Sequence, residues 1–572
     1  MKNKLYILGA AIILSAIIFP GCYKLERIPE DKLSPAIFWK TPEQAKQAIA
    51  ACYSALNQGE VYNTLFGMDA LSDMALGYDD KGYGDISRGF WTSRTGYVNN
   101  RWSNSYEGVT RTNNVIKNMA ASAIDEGVKK QIIAEAKFLR AVYYNFLLVH
   151  YGGVPIYDET TDYNKDYMDL KKPRATAKET RDFILKDLAE AIATLPAKWT
   201  PASEYGRATK GAAYALRGKI YLYNKEYDLA TKDFEEIVLD PTSKGYGYQL
   251  YPDYAGLFLP EGHKSSEMIF AIQTFASQTV SLGMPYAHYM GSNASLGTSW
   301  NSVMPSVELV DSYETKDGHP FNWNDFIPGY NESITVRGET MKATLSADFK
   351  SFAAYPKYHD KLLAMYEQRD PRMKQTIILP YTNYLGWIGN ANKMTEFVYN
   401  PGVATANGFI VINRYKNSYL YLFRKFVPEG NMGGLMTANQ RDHVPINFPI
   451  IRYADVLLML AECYNEQSRM NDAVTYINKV RSRKSTNLPG INSGPSWLEA
   501  RSKDDVFKRI VHERQVEFPA EGIRYYDLRR WGMAKSVMNK DVIDALDNKI
   551  YTTKFEDKDY LWPIPGSEID KN

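Results

Sequence analysis

Four stretches of the chain combine aromatic rings with planar polar side chains. The C–H face of a sugar ring is apolar and packs flat on an aromatic ring, while its hydroxyls need amide, carboxylate or guanidinium partners. Each ring has a competing role in the core or at a protein interface, because tryptophan is mostly buried in folded proteins. The four sets are Tyr83, Arg88, Phe90, Trp91, Asn99, Asn100 and Arg101; Tyr286, Tyr289 and Trp300; Trp323 and Tyr330; and Asn383, Tyr384 and Trp387.

A cluster of carboxylates near the C-terminus has two interpretations. Glu513, Glu517 and Glu521 are spaced to share one helix face, with several arginines nearby. A pair of catalytic carboxylates would need a cleft and a facing geometry, which no local string specifies. Arginine–carboxylate pairs, in contrast, commonly hold helix ends in place. The sequence therefore favours a structural ion-pair network here.

The chain lacks the sequence patterns of common catalytic and cofactor sites. Its seven histidines are dispersed, and no H-E-x-x-H, G-x-S-x-G or Walker A string occurs. Asp79, Asp80 and Asp85 could contact Ca²⁺, but Lys81 breaks the EF-hand pattern, which favours a solvated acidic loop. We expect no metal, no cofactor and no enzymatic activity, although the acids of a glycosidase are often far apart in sequence.

The composition is that of a large folded protein with little net charge. The 572 residues are 45% apolar and 13% aromatic, which excludes disorder. A net charge of +2 gives no electrostatic signature of nucleic-acid binding. Three cysteines are too few for a disulfide scaffold, and Cys52 and Cys463 lie in helical patterns typical of core residues, with any pairing left open.

The N-terminus has the organisation of a secretory signal. Lys2 and Lys4 precede an apolar stretch over residues 5–19, which is short for a membrane span. An ordinary cleaved signal or an uncleaved anchor are the alternatives. Cys22 makes the segment resemble a bacterial lipoprotein signal, with Phe19 and Pro20 departing from the usual pattern. From this pattern we predict a signal over residues 1–21 and acylation of Cys22. Two or three acyl chains hold a protein stably on a bilayer.

Helical patterns occupy both ends of the remaining chain. Thr41-Pro42-Glu43-Gln44 predicts a capped helix start, residues 128–150 show helical spacing of apolar residues, and Thr176 to Glu179 forms another capping box. Two segments match the large and small positions of tetratricopeptide repeats, so the chain must fold back to stack them. Their residues are Tyr214, Gly218, Tyr221, Ala230 and Phe234, with Arg217 in place of the usual Leu, and Leu457, Leu460, Ala461, Tyr464, Ala473, Ile477 and Val480.

The middle of the chain has a different character. Residues 241–449 interleave Gly, Pro, Asn, Ser and aromatic residues in short apolar runs, with a strand predicted over Met268 to Ile272. We predict an all-α, mainly helical fold: a tetratricopeptide-like helix-hairpin scaffold with a long, irregular, loop-rich insert. After a tether over residues 22–40, residues 41–572 form one domain. Its scaffold comprises residues 41–240 and 450–540, and residues 241–449 form the ligand-binding region.

Several strings, in order along nearly the whole mature chain, resemble the SusD/RagB family of outer-membrane, nutrient-binding lipoproteins. They include Tyr151-Gly152-Gly153-Val154-Pro155, Arg369-Asp370-Pro371-Arg372, Arg452-Tyr453-Ala454-Asp455, Glu513-Arg514-Gln515-Val516-Glu517-Phe518, Glu521-Gly522-Ile523-Arg524-Tyr525-Tyr526-Asp527-Leu528-Arg529 and Leu561-Trp562-Pro563-Ile564-Pro565. The resemblance implies a helical fold that caps a SusC-like, TonB-dependent transporter at the cell surface. It also implies that ligand contacts come from the early loop and from the stretch after the Met268–Ile272 strand.

These considerations select six ligand-binding candidates and one function. The resemblance favours Arg88, Trp91, Asn99, Tyr289 and Trp300, and Trp387 is added from the fourth aromatic set. We expect a glycan-binding lipoprotein, anchored on the outer membrane, that delivers an oligosaccharide to the transporter. The alternatives are the same architecture with a peptide, glycopeptide or other nutrient as cargo, a surface hydrolase, and a tetratricopeptide scaffold that binds only protein.

Overall fold

The computed structural model describes residues 38–59, 61–77, 82–162, 171–276, 281–296, 299–348, 350–399, 409–410, 418–437 and 440–571. The predicted signal, Cys22 and most of the predicted tether lie outside these residues. Within the described ranges, no helix combines the length and the hydropathy needed to cross a membrane. Cys52 and Cys463 are both buried and unpaired.

Helices dominate the fold, as the sequence predicts. In chain order they are α1 Pro42–Ser54, α2 Tyr83–Ser87, α3 Gly96–Ala121, α4 Glu126–Tyr151, α5 Ala177–Thr194, α6 Lys210–Tyr223, α7 Tyr227–Val238, α8 Tyr286–Met290, α9 Val307–Ser312, α10 Ile334–Met341, α11 His359–Glu367, α12 Pro371–Thr376, α13 Tyr453–Glu466, α14 Met470–Arg481, α15 Lys503–Glu517, α16 Arg524–Arg530, α17 Ala534–Met538 and α18 Gly566–Ile569.

Short strands lie mainly in the middle of the chain and near its end. They are β1 Ala75–Gly77, β2 Met268–Ile272, β3 Phe275–Ala276, β4 Ser281–Leu282, β5 Val303–Pro305, β6 Thr344–Leu345, β7 Phe352–Ala354, β8 Ile377–Ile378, β9 Asn383–Ile388, β10 Ala391–Phe397, β11 Phe409–Ile410, β12 Leu422–Phe423, β13 Phe448–Arg452, β14 Asp541–Ile543 and β15 Lys549–Thr552. The described strands pair two at a time, except that β9, β10 and β11 form a three-stranded sheet.

Local capping explains where the scaffold helices begin. The Thr41 hydroxyl accepts from the Gln44 amide, and the Gln44 side chain accepts from the Thr41 amide. Thr176 and Glu179 form the same reciprocal pair at the start of α5. Both predicted capping boxes are therefore confirmed, and each satisfies amides that would otherwise lack a partner at the helix end.

The two predicted repeats are helical hairpins that pack on each other. A Cβ atom on Gly218 would come within 2.6 Å of the Phe234 ring, so glycine is what lets α6 and α7 approach closely. Arg217, the departure from the repeat pattern, pairs with Asp233 across the same hairpin. The Tyr464 hydroxyl of the second repeat donates to a carboxylate of α7 at 2.7 Å. The predicted fold-back of the chain is thus confirmed.

Charged side chains occupy part of the protein interior. The Arg452 guanidinium contacts Glu267, Glu517 and Glu521, each at 2.8 Å. Arg483 pairs with the same Glu267 and Glu517, at 2.6 and 2.8 Å. All five side chains are almost completely buried. Buried ions are tolerated only when they are paired and hydrogen-bonded, so this arrangement fixes the relative positions of the segments that carry them.

Two more arginines extend this buried ion-pair network. Arg372 contacts Glu513 at 2.6 Å and Glu517 at 2.9 Å, and Arg481 contacts Glu513 at 3.2 Å. The structural interpretation of the glutamate cluster is therefore confirmed, although its main cationic partners come from distant segments and not from the neighbouring arginines.

The third glutamate of the cluster reaches the network from outside the helix. Helix α15 ends at Glu517, because Phe518 precedes Pro519 and proline disfavours the helical conformation in the residue before it. The chain then turns through Ala520, whose φ is +60°, and places Glu521 beside the network. The expectation that all three glutamates share one helix face is wrong in this respect.

Glu517→Gln should strongly destabilise the fold, since Arg452 and Arg483 would lose a shared buried counter-charge. We expect the free energy of unfolding to fall by about 3–5 kcal/mol, measured by chemical denaturation. The control is Glu499→Gln, which removes a solvent-exposed pair with Arg501 and should change the free energy by less than about 0.5 kcal/mol. Equal effects of the two substitutions would contradict a structural role for the network.

Candidate functional site

Pairing of β2 with β13 brings two distant chain segments together. The strands are antiparallel with Ile272 opposite Phe448, so the chain leaving β2 lies beside the chain entering β13. The pairing continues past the strand ends, where Met284 and Val444 exchange backbone hydrogen bonds of 2.9 and 2.8 Å. Helix α8, which follows residue 284, is consequently held next to residues 441–444.

His288 of α8 links these two segments through its side chain. Its Nδ1 atom lies 2.5 Å from the Asp442 carboxylate, and its ring stacks on Tyr289 with the centroids 4.5 Å apart. The backbone carbonyl of His288 accepts a hydrogen bond from the Trp300 amide at 3.2 Å. The position of Trp300 is therefore tied to the same helix.

Trp300 presents an aromatic surface to solvent. Its side chain is 42% exposed, and the Arg441 guanidinium lies 5.9 Å from its ring centroid. We call His288, Tyr289, Trp300, Arg441 and Asp442 the Trp300 site. It offers an exposed ring for stacking together with a guanidinium and a carboxylate for hydrogen bonding. The arrangement suits a ligand with one apolar face and a hydroxylated edge.

Trp387 borders the loop that carries Trp300. It lies on β9, and its backbone amide donates to the Ala294 carbonyl at 2.8 Å. Its indole is half-buried, and its Nε1 atom is buried without a hydrogen-bond partner in the part of the chain that the structure describes. One loop is thus bordered by Tyr289, Trp300 and Trp387. Trp387 comes from a different part of the sequence than the other two.

Two of the three early-loop candidates lie beside the C-terminal segment. Trp91 packs edge-to-face against Trp562, with the ring centroids 5.6 Å apart. Arg88 lies 5.6 Å from the ring of Tyr551 on β15. Asn99 is on α3, and its Oδ1 atom is buried with no partner among the described residues. The structure shows packing contacts for Trp91 and Arg88, and a ligand-binding role for all three stays a prediction.

Three members of the Trp300 site were not selected from the sequence. His288 and Asp442 are 154 residues apart, so no local spacing connects them. Arg441 adjoins Asp442 and has no distinctive motif around it. Only the antiparallel register of β2 and β13 reveals that these side chains meet. Within the described ranges, no group of three or more His, Cys, Asp or Glu side chains could hold a metal ion.

Comparison with protein-family models gives two matches that do not overlap. The model described as the SusD family matches residues 266–572, which is more than half of the chain. A second model, described as "starch-binding associating with outer membrane", matches residues 26–222. The chain belongs to the SusD family.

Individual relatives agree with this assignment along the full length. SusD-like protein P2 of Formosa agariphila is 22% identical, over 100% of this chain and 98% of that protein. A SusD-like carbohydrate-binding protein from Bacteroides fragilis has a solved structure with a TM-score of 0.74 at 24% identity, over 94% of this chain and 99% of that one. Surface glycan-binding protein A of Bacteroides thetaiotaomicron, solved with laminarihexaose, has a TM-score of 0.61 at 21% identity and coverage of 92% and 97%. These structures confirm the helical fold.

A buried carboxyl group belongs to the 3₁₀ segment that contacts the Trp300 site of this SusD-family chain. The 3₁₀ segment Leu65–Leu71 supports the site through Phe66, whose ring centroid is 6.1 Å from that of Tyr289. In the same segment, Asp69 accepts a 2.6 Å hydrogen bond from the Ala520 amide through one oxygen only. Its other oxygen is buried and has no partner among the described residues. Burial raises the pKa of Asp69 from 3.8 to about 8.

Asp69 should make stability depend on pH. The folded carboxyl keeps its proton up to about pH 8, whereas the unfolded one ionises near pH 4, so the folded state binds more protons between these values. The free energy of unfolding therefore falls as the pH rises from about 4 to about 8, by up to about 1.4 kcal/mol per pH unit. Asp69→Asn should remove this loss. Denaturation at pH 5 and pH 8 would show it, and parallel pH profiles for the two proteins would contradict it.

Trp91 and Trp300 should differ in their contribution to stability. Trp91→Ala removes a ring that packs against the core, and we expect a loss of about 2–4 kcal/mol in the free energy of unfolding. Trp300→Ala removes a largely exposed ring and should cost less than about 1 kcal/mol. Chemical denaturation compares the two variants directly. A larger loss of stability for Trp300→Ala would contradict the conclusion that Trp91 packs against the core and Trp300 is exposed.

Proposed function

We propose that this SusD-family protein binds a glycan at the cell surface and passes it to a SusC-like, TonB-dependent transporter. The observation that carries the proposal is the exposed Trp300 ring beside the Arg441 guanidinium and the His288–Asp442 pair. Family membership supports it, as do the relatives whose names describe carbohydrate or glycan binding.

The mechanism is binding without a chemical step. The apolar face of a sugar residue stacks on Trp300, and its hydroxyls pair with Arg441 and Asp442. Tyr289 and Trp387 hold the surrounding loop, and Arg88, Trp91 and Asn99 remain candidates for a longer ligand. The affinity is modest, because the oligosaccharide must leave the site to enter the transporter.

The proposed location follows from the N-terminus and from the family. Acylation of Cys22 anchors the protein to the outer membrane, in keeping with the family model described as associating with that membrane. Residues 22–40 then act as a tether for the domain formed by residues 41–572. Within this domain, residues 41–240 and 450–540 form the scaffold, and residues 241–449 carry the ligand site.

Isothermal titration against plant, host and microbial glycans tests the proposal. The protein used is the mature chain with Cys22→Ser, which lacks the lipid. We expect one polysaccharide class to bind and Trp300→Ala to weaken binding at least about tenfold, which corresponds to about 1.4 kcal/mol for a stacked ring. Unaltered circular dichroism would show that the fold is intact.

Trp497→Ala is the matched control. This tryptophan is 40% exposed, close to the value for Trp300, but it contacts His319 and lies outside the Trp300 site. It should leave glycan affinity unchanged. Equal losses in both variants, or no glycan binding by either the isolated protein or its complex with the co-purified transporter, would reject the proposal.

A further inference from the structure

A second cleft, of about 860 Å³, shares no residue with the Trp300 site. One wall is formed by the first half of α3, and the others by residues 155–157, residues 171–174 and the C-terminal residues around α18. Its volume lies within the range of about 300–1,000 Å³ that is usual for small-molecule pockets. None of the sequence motifs and none of the comparisons assigns a role to it.

Aromatic rings form one wall of this C-terminal cleft. The Trp102 ring is only 5% exposed and supports the Tyr106 ring, with the two centroids 5.0 Å apart. Tyr106 in turn contacts Tyr157 edge-to-face, with the centroids 5.9 Å apart. The Tyr106 hydroxyl donates to the Pro155 carbonyl at 2.7 Å, which fixes that ring in place. Rings held in this way form a wall that needs no rearrangement to bind a ligand.

Cations line the edge next to this wall, where the Lys172 ammonium lies 5.2 Å from the Tyr157 ring centroid. Lys172 donates to the Ile156 carbonyl at 3.0 Å, and Arg174 donates to the Gly153 carbonyl at 2.5 Å, so both charges are held by the backbone. Lys171 lies beside them. None of these three side chains pairs with a carboxylate among the described residues.

The C-terminal side of the cleft adds little negative charge. Lys571 pairs with Glu568 at 2.8 Å, and Glu568 is the only carboxylate among the described lining residues. The described lining thus carries four cations and one carboxylate, whereas the whole chain has a net charge of only +2. Among the described lining residues, positive charge is therefore in excess.

We propose that the C-terminal cleft binds an acidic saccharide, one that carries carboxylate or sulfate groups. The aromatic wall packs against the apolar face of a sugar ring, and the edge formed by Lys171, Lys172 and Arg174 pairs with its anionic group. A neutral sugar would leave the cationic edge unused, and a small inorganic anion would leave the aromatic wall uncovered. The site acts separately from the Trp300 site.

Titration with acidic and neutral oligosaccharides tests this site. The mature chain with Cys22→Ser is titrated with tetragalacturonate, a sulfated chondroitin tetrasaccharide and neutral laminaritetraose. We expect at least one acidic ligand to bind through the cleft, and its affinity to fall as salt is added. Lys171→Glu should weaken this binding at least about tenfold, because it removes one charge-assisted contact and adds repulsion.

Two further variants make the test specific. Ser103→Trp fills the cleft from the exposed face of α3 and should also abolish acidic-saccharide binding, while Lys198→Glu reverses an exposed lysine outside the cleft and should have little effect. Trp300→Ala should leave this binding unchanged, which separates the cleft from the proposed glycan site. Two results would overturn the inference: no binding of either acidic ligand, or binding that Lys171→Glu leaves unaffected.

Discussion

Arg452 stands at the end of β13 and contacts three carboxylates from two separate parts of the chain. Glu267 immediately precedes β2, Glu517 ends α15, and Glu521 lies in the turn that follows. The desolvation of a buried guanidinium is offset only if all its partners are in place. This requirement couples the loop-rich middle to the C-terminal helices, because the middle supplies Glu267 and the C-terminal part supplies Arg452 and the other two carboxylates. The rest of the architecture depends on this pairing.

The Trp300 site inherits its position from the same junction. Arg452 and Glu267 anchor the paired strands β13 and β2 at one end. At the other end, the chain leaves β2 toward His288 and enters β13 from Asp442. The ion-pair network therefore anchors one end of the strand pair, and backbone pairing of Met284 with Val444 beyond the other end brings His288 to Asp442. A rigid scaffold thus positions the loops of the Trp300 site, whose own sequences contain few structural signals.

How much the sequence predicts depends on how local each determinant is. The helix starts at Thr41 and Thr176 were predictable, because a capping box lies within four residues. The helical-hairpin scaffold was predictable from the small residue at Gly218 and its repeat. The contact between His288 and Asp442 was not, since it depends on a strand register spanning 154 residues.

The sequence also did not predict which tryptophan rings are exposed to solvent. Trp91 and Trp300 both lie in stretches rich in Gly, Ser, Thr and Asn, so their neighbours do not distinguish them. One packs against Trp562 near the chain end, and the other is largely exposed. The difference arises from which distant segment covers each ring, and this is decided by tertiary packing alone.

The backbone around Trp300 shows how an exposed ring can be held ready for a ligand. The amide of Trp300 is bonded to His288, and the amide of Asn301 donates to Gly291 at 2.7 Å. Asn301 adopts a φ of +38°, a conformation that costs energy for a residue other than glycine and persists only where its surroundings fix it. A ring whose backbone is held on both sides leaves little of the loop to be ordered on binding, so weak stacking and a few hydrogen bonds suffice for capture. Because the backbone of this ring is already ordered before a ligand arrives, capture and release in the proposed function would need no rearrangement of the loop.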